Sequence, residues 1–166
     1  DKAIKEYLIA LKLNPNDPEV HNKLGVAYYR QGQMDKAIKE YLIALKLNPN
    51  DPNVYNNLGH VLEVQDRLDE AIGEFKAALR LKPDFTGAHF NLGVVYFKQN
   101  RLNEAINEYL SALKIKPDYI EALVTISQIE KSDGNNTLAI SYAESALALA
   151  PLNKDLINYY SLLVEI

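Results

Sequence analysis

Cysteine is missing from all 166 residues, which excludes disulfide frameworks and thiolate metal sites. No apolar run approaches the roughly 18 residues that a membrane span needs. No leader pattern is visible, because Asp1 already falls inside a helical pattern. That abrupt start reads as a piece of a longer protein. Without cysteine or a leader, the expected address is a reducing compartment, the cytoplasm. Positive charge is also scarce: 18 basic against 22 acidic residues leave a net charge of −4, with no dense Lys/Arg cluster. Nucleic-acid binders need a basic field, so that class is set aside. Glycines are scattered, so there is no phosphate-cradling loop, and no serine has a plausible His/Asp partner. None of the three histidines has the i, i+4 spacing or acidic company of a metal site. No cofactor, metal or catalytic site is therefore expected.

What is present is a folded composition, 48% apolar and 24% charged, arranged with a period. The segment DKAIKEYLIALKLNPNDP occurs at 1–18 and again, unchanged, at 35–52. Pro15, Pro49, Pro83, Pro117 and Pro151 step by 34. Gly25, Gly59, Gly93 and Ser127 keep the same step, as do Ala37, Ala71, Ala105 and Ala139. A fixed period of this size marks an array of stacked units.

Inside one period the spacing is helical. His21, Leu24, Gly25 and Tyr28 form one stripe, and Ala37, Ile38, Tyr41, Ala44 and Leu45 form another after a break at Gln31–Gln33. Each unit is thus two helices, placed near 18–31 and 35–47, with later pairs 34, 68 and 102 residues on. Asp17-Pro18 and Asp51-Pro52 offer an N-cap followed by proline in the first turn. Gly32, Asp66, Asn100 and Gly134 tolerate the left-handed conformation that closes a helix. The recurrent proline stops the second helix. Gly25, Ala37 and Ala44 allow close backbone approach, with Leu24, Tyr28 and Tyr41 filling the space around it.

These residues resemble the tetratricopeptide repeat family, whose unit runs large residue, Leu-Gly, aromatic, Ala, aromatic, Pro. Residues 18–51 supply His21, Leu24, Gly25, Tyr28, Ala37, Tyr41 and Pro49; 52–85 supply Tyr55, Leu58, Gly59, Leu62, Ala71, Phe75 and Pro83; 86–119 supply His89, Leu92, Gly93, Tyr96, Ala105, Tyr109 and Pro117. Residues 120–153 form a degenerate copy, with Ser127 for glycine, Glu130 for an aromatic and Ala143 for a ring, and should be the least well packed. Residues 1–17 are a half repeat, a second helix alone. Residues 154–166 are a first helix alone, with Ile157, Tyr160 and Val164 as its buried stripe. The resemblance implies an all-α fold, a right-handed α-solenoid of antiparallel helix pairs. First helices line its concave side and second helices its convex side.

The copied segment is then a structural second helix, while first helices vary, as a binding surface on a repeated frame would show; the alternative source of the identity is recent duplication or design. Along the groove-facing stripe stand Asn22, Val26 and Tyr29, then Asn56, His60 and Glu63, then Phe90, Val94 and Phe97. His21 and His89 are expected to pack in the core, and His60 to face the groove alone. Asn57 and Asn91 resemble the asparagine ladder of the tetratricopeptide arm of O-GlcNAc transferases, whose amides hold the backbone of an extended peptide. Lys23 and Thr125 take the equivalent places. The basic clamp of chaperone-binding members has no counterpart, since Asn22 and Val26 stand where it would begin. The expected function is a non-catalytic module that binds a partner's peptide or helix: Asn57 and Asn91 on backbone, Phe90, Val94, Phe97 and Tyr29 on apolar side chains, and Arg30, Lys23 and Lys98 on acidic ones. Two other readings remain. One is the substrate-recruiting arm of a larger glycosyltransferase-like enzyme. The other is a scaffold joined end to end through homotypic contact of its half repeats.

Overall fold

The computed structural model describes residues 2–165; Asp1, where the sequence reading begins its first helix, and Ile166 lie outside the described residues. Among the described residues ten helices follow one another: α1 (Lys2–Leu13), α2 (Pro18–Arg30), α3 (Met34–Leu47), α4 (Pro52–Val64), α5 (Leu68–Leu81), α6 (Thr86–Lys98), α7 (Leu102–Ile115), α8 (Ile120–Ser132), α9 (Asn136–Leu149) and α10 (Lys154–Val164). There is no strand among the described residues. The even helices are first helices and the odd ones second helices.

The punctuation acts as its chemistry dictates. Asp17 accepts from the Glu19 and Val20 amides at 3.0 and 3.1 Å, and Asp51 from the Asn53 amide at 2.9 Å. Each serves donors that the first helical turn leaves orphaned. Phe85 and Tyr119 take the same place before α6 and α8 and offer no cap. Inside the pairs the chain turns through positive φ at Gly32 (72°), Asp66 (60°), Asn100 (57°) and Gly134 (81°).

Packing within a pair rests on a missing side chain. A Cβ placed on Gly25, Gly59 or Gly93 would come 2.6, 2.8 or 2.7 Å from the ring of Tyr41, Phe75 or Tyr109. The fourth unit reverses the fit. Ser127 occupies the glycine site and donates to the Ala139 carbonyl at 2.6 Å, while Ala143 occupies the ring site. Ser127, Ala139, Ala143 and Ala146 are all buried, so the interior of this unit is closed by a different pairing of sizes.

One core runs from Ala37 to Ile129, and two smaller clusters join α8, α9 and α10. Burial depends on neighbours more than on the local sequence. Ala37, Tyr41 and Ala44 are buried, whereas their identical counterparts Ala3, Tyr7 and Ala10 in α1 are half-buried. The stripe expected to be buried in α10 is corrected. Ile157 and Val164 are exposed. Leu156 and Leu163, which face back onto the fourth unit, are buried instead.

Successive first helices pack on one another, α2 on α4 and α4 on α6, while successive second helices make no comparable contact. Crowding one set and spreading the other curves the stack, and the first helices form its inner face.

Candidate protein-binding face

The residues that the sequence assigns to the inner face lie on three first helices: Asn22, Lys23, Val26, Tyr29 and Arg30 on α2; Asn56, Asn57, His60 and Glu63 on α4; Phe90, Asn91, Val94, Phe97 and Lys98 on α6.

Two layers of polar contact cross this face. Nearer the start of the helices, Asn57 donates to Asn22 and Asn91 to Asn56, each at 3.1 Å. An amide has two donor hydrogens and a carbonyl. Each pair therefore keeps donor and acceptor capacity beyond the bond it makes. Nearer the helix ends, the Tyr29 hydroxyl lies 2.9 Å from His60 Nε2, and His60 Nδ1 lies 3.4 Å from Glu63. The Lys98 ammonium closes the row on the same carboxylate, which is otherwise buried. His60 is therefore not alone: it sits in a row reaching from α2 through α4 to α6.

The remaining residues divide. Phe90 turns inward, with ring centroids 5.4 Å from Tyr109 and 4.8 Å from Tyr119. Val94 is half-buried and Phe97 is 44% exposed. Lys23 pairs with Glu19 of its own helix at 2.7 Å, and this carboxylate holds the ammonium above its ordinary pKa. Arg30 borders a hollow of about 210 Å³ between α2 and α4, lined also by Val26, Tyr29, Tyr41, Asn57 and His60.

Sequence reasoning missed one set of contacts. His21 Nδ1 lies 2.6 Å from Glu40 and its Nε2 lies 2.9 Å from the Pro15 carbonyl. His89 does the same with Glu108 at 2.6 Å and the Pro83 carbonyl at 2.9 Å. Both partners of each ring are acceptors, so closing both bonds takes a proton on each ring nitrogen or one on the carboxyl. These rings fasten the exit of one unit to the body of the next, beyond packing in the core. The available signal was a histidine and a glutamate 19 residues apart in two units.

Among the described residues no group of three or more His, Asp or Glu side chains is gathered as a metal site would need. No described helix is long and apolar enough to cross a membrane.

A pattern described as TPR repeat matches residues 1–32 and 27–66, and one described as tetratricopeptide repeat matches 56–120. No curated protein matches the chain. Among solved structures, MamA superposes with a TM-score of 0.82 at 29% identity, covering 88% of this chain and 85% of its own. YrrB, a TPR protein with an unusual peptide-binding site, gives 0.78 at 19%, covering 96% and 82%. TTC0263, a thermophilic TPR protein of Thermus thermophilus, gives 0.76 at 22%, covering 98% and 89%. At such identities the last two likenesses are of fold alone.

Proposed function

The chain belongs to the tetratricopeptide repeat family, a family of protein-interaction modules, and from that premise we propose that its inner face binds an extended segment of another protein without catalysing a reaction. The observation that carries this reading is the pair of amide rungs, Asn22 with Asn57 and Asn56 with Asn91, beside the exposed ring of Phe97. Packed helices sit about 8–10 Å apart, and an extended chain advances about 3.3 Å per residue. One rung thus meets every third residue of the guest, and its spare amide groups suit a peptide unit whatever the side chain. Phe97 and Val94 supply apolar contact, and Arg30 supplies a cation for an acidic side chain. Lys98 contributes less than the sequence suggests, because Glu63 already holds it. Micromolar affinity, about −8 kcal/mol, requires only a few such contacts.

The test selects binders from a random peptide library and measures their affinity by fluorescence anisotropy. Asn91→Ala with Phe97→Ala should weaken binding at least tenfold. Leu42→Ala, on the exposed side of a second helix, should leave it unchanged. Undiminished binding by the double variant would remove the inner face from the account.

A further inference from the structure

The joints between units are not alike, and the difference follows the 34-residue register. Polar contacts that cross between the first and second units include Asn22 with Asn57, Tyr29 with His60, and Asp35 with Gln65 at 3.1 Å. Between the second and third units four cross: Asn56 with Asn91, Glu63 with Lys98, Asp69 with Gln99 at 2.9 Å, and the Pro83 carbonyl with His89.

Advancing each of those four by one period gives the joint between the third and fourth units. Asn56 and Asn91 become Phe90 and Thr125, and Glu63 and Lys98 become Phe97 and Ser132. Asp69 and Gln99 become Asn103 and Asp133, and His89 becomes Leu123 opposite Pro117. The two hydroxyls turn back onto their own helix: Thr125 donates to the Glu121 carbonyl at 2.8 Å and Ser132 to the Ile129 carbonyl at 2.7 Å. Among the described residues, no side-chain hydrogen bond or ion pair joins residues up to Pro117 with residues from Ile120 onward.

Beyond this seam the polar ties resume. Tyr159 donates to Ser127 at 3.0 Å, Tyr160 donates to Glu144 at 2.8 Å, and Lys131 lies 6.0 Å from the Tyr159 ring centroid. The seam itself is held by apolar contact: Leu92, Val95 and Tyr96 share one buried core with Ala122, Ile126 and Ile129, and Leu113 lies beside Ile120 and Val124. Apolar attraction has no preferred direction, so surfaces held by it can slide or tilt. Hydrogen bonds weaken steeply with angle and fix a joint.

We infer that the chain moves as two bodies, residues 18–117 and 120–164, hinged at the Lys116–Tyr119 turn. Rotation there opens and closes the inner face beside Phe97, the exposed ring at the edge of the seam. Stability in a stacked array is a sum of unit and nearest-neighbour terms. The joint lacking polar ties is therefore where a sub-global opening begins.

Native-state amide hydrogen exchange of the protein tests this without any ligand, so its outcome is independent of the peptide-binding reading. Helices α8, α9 and α10 should exchange as one unit, with a step between Pro117 and Ile120 and slower exchange in α4 to α7. A latched variant copies the preceding joint at four exposed positions: Asn103→Asp with Asp133→Gln, and Phe97→Glu with Ser132→Lys. It should slow exchange in α8 about tenfold, as added hydrogen bonds of ordinary strength would, and erase most of the step. A smooth gradient from the C-terminal end with no step overturns the hinge, as does a step that the latch leaves unmoved.

Discussion

His89 holds Glu108 at 2.6 Å, and 68 residues upstream His21 holds Glu40 at the same distance. The unit between them has the glutamate, Glu74, but Tyr55 in place of the histidine. Burial pushes the Glu74 carboxyl above its ordinary pKa, and the neighbouring Glu70 adds to the rise.

Tyr55→His should complete the missing bond. The new imidazole would face Glu74 and the Pro49 carbonyl as its counterparts face theirs. Thermal melting at neutral pH should rise, and an NMR titration should show the Glu74 carboxyl moving down toward its ordinary range. A lower melting temperature with an unshifted carboxyl would mean that the second unit does not share the geometry of its neighbours.

Glu74→Gln isolates the charge. A raised folded-state pKa means that the protonated form is favoured by folding. Its contribution is present below the unfolded pKa and is lost as pH rises through the folded value. The variant should therefore be more stable than the parent at pH 7, and the gain should vanish below about pH 4, where both states are protonated. Urea melts at the two pH values check this.

Gly59→Leu should destabilise by about 1–3 kcal/mol, because even a Cβ at this site meets Phe75 at 2.8 Å. Chemical denaturation measures it. An unchanged midpoint would show that the two helices can part without penalty.

Tyr109→Phe should raise stability by about 1 kcal/mol. The Tyr109 hydroxyl is buried without a hydrogen-bond partner, and its burial also pushes its pKa up. Phe75 fills the same site in the second unit without a hydroxyl, so the ring alone suffices for packing. An unpaired buried hydroxyl costs more than it returns. A loss of stability in urea would reveal a partner for the oxygen.

Lys98→Met should cost about 1–3 kcal/mol by leaving the buried Glu63 carboxylate with only His60 beside it. The double variant with Glu63→Gln should recover most of that loss in the same melts. Failure to recover would show that the lysine stem, and not its charge, supplies the stability.

The helices, their turns and their caps were legible in the sequence because they are local. Proline at the first turn, aspartate before it and a left-handed residue between helices act within a few positions. The inner face was legible as a set of positions but not as contacts. Glu63 and Lys98 lie 35 residues apart and meet only because curvature brings α4 against α6. Phe90, expected to meet a guest's apolar side chain, packs instead on Tyr109 and on Tyr119, and Tyr119 stands where the first two units place a capping aspartate and offers a ring in its stead. The stripe of α10 was misjudged for a related reason. Its pattern is that of a first helix, but which half is covered depends on what stands next to it.

The swapped sizes at the centre of each pair, glycine against a ring in three units and serine against alanine in the fourth, set the smallest piece that can be exchanged between positions. A single helix moved from the fourth unit to the second would bring a hydroxymethyl against Phe75, and its partner moved alone would leave a void behind. Both helices travel together or neither does, so transplantation along this array proceeds by whole hairpins.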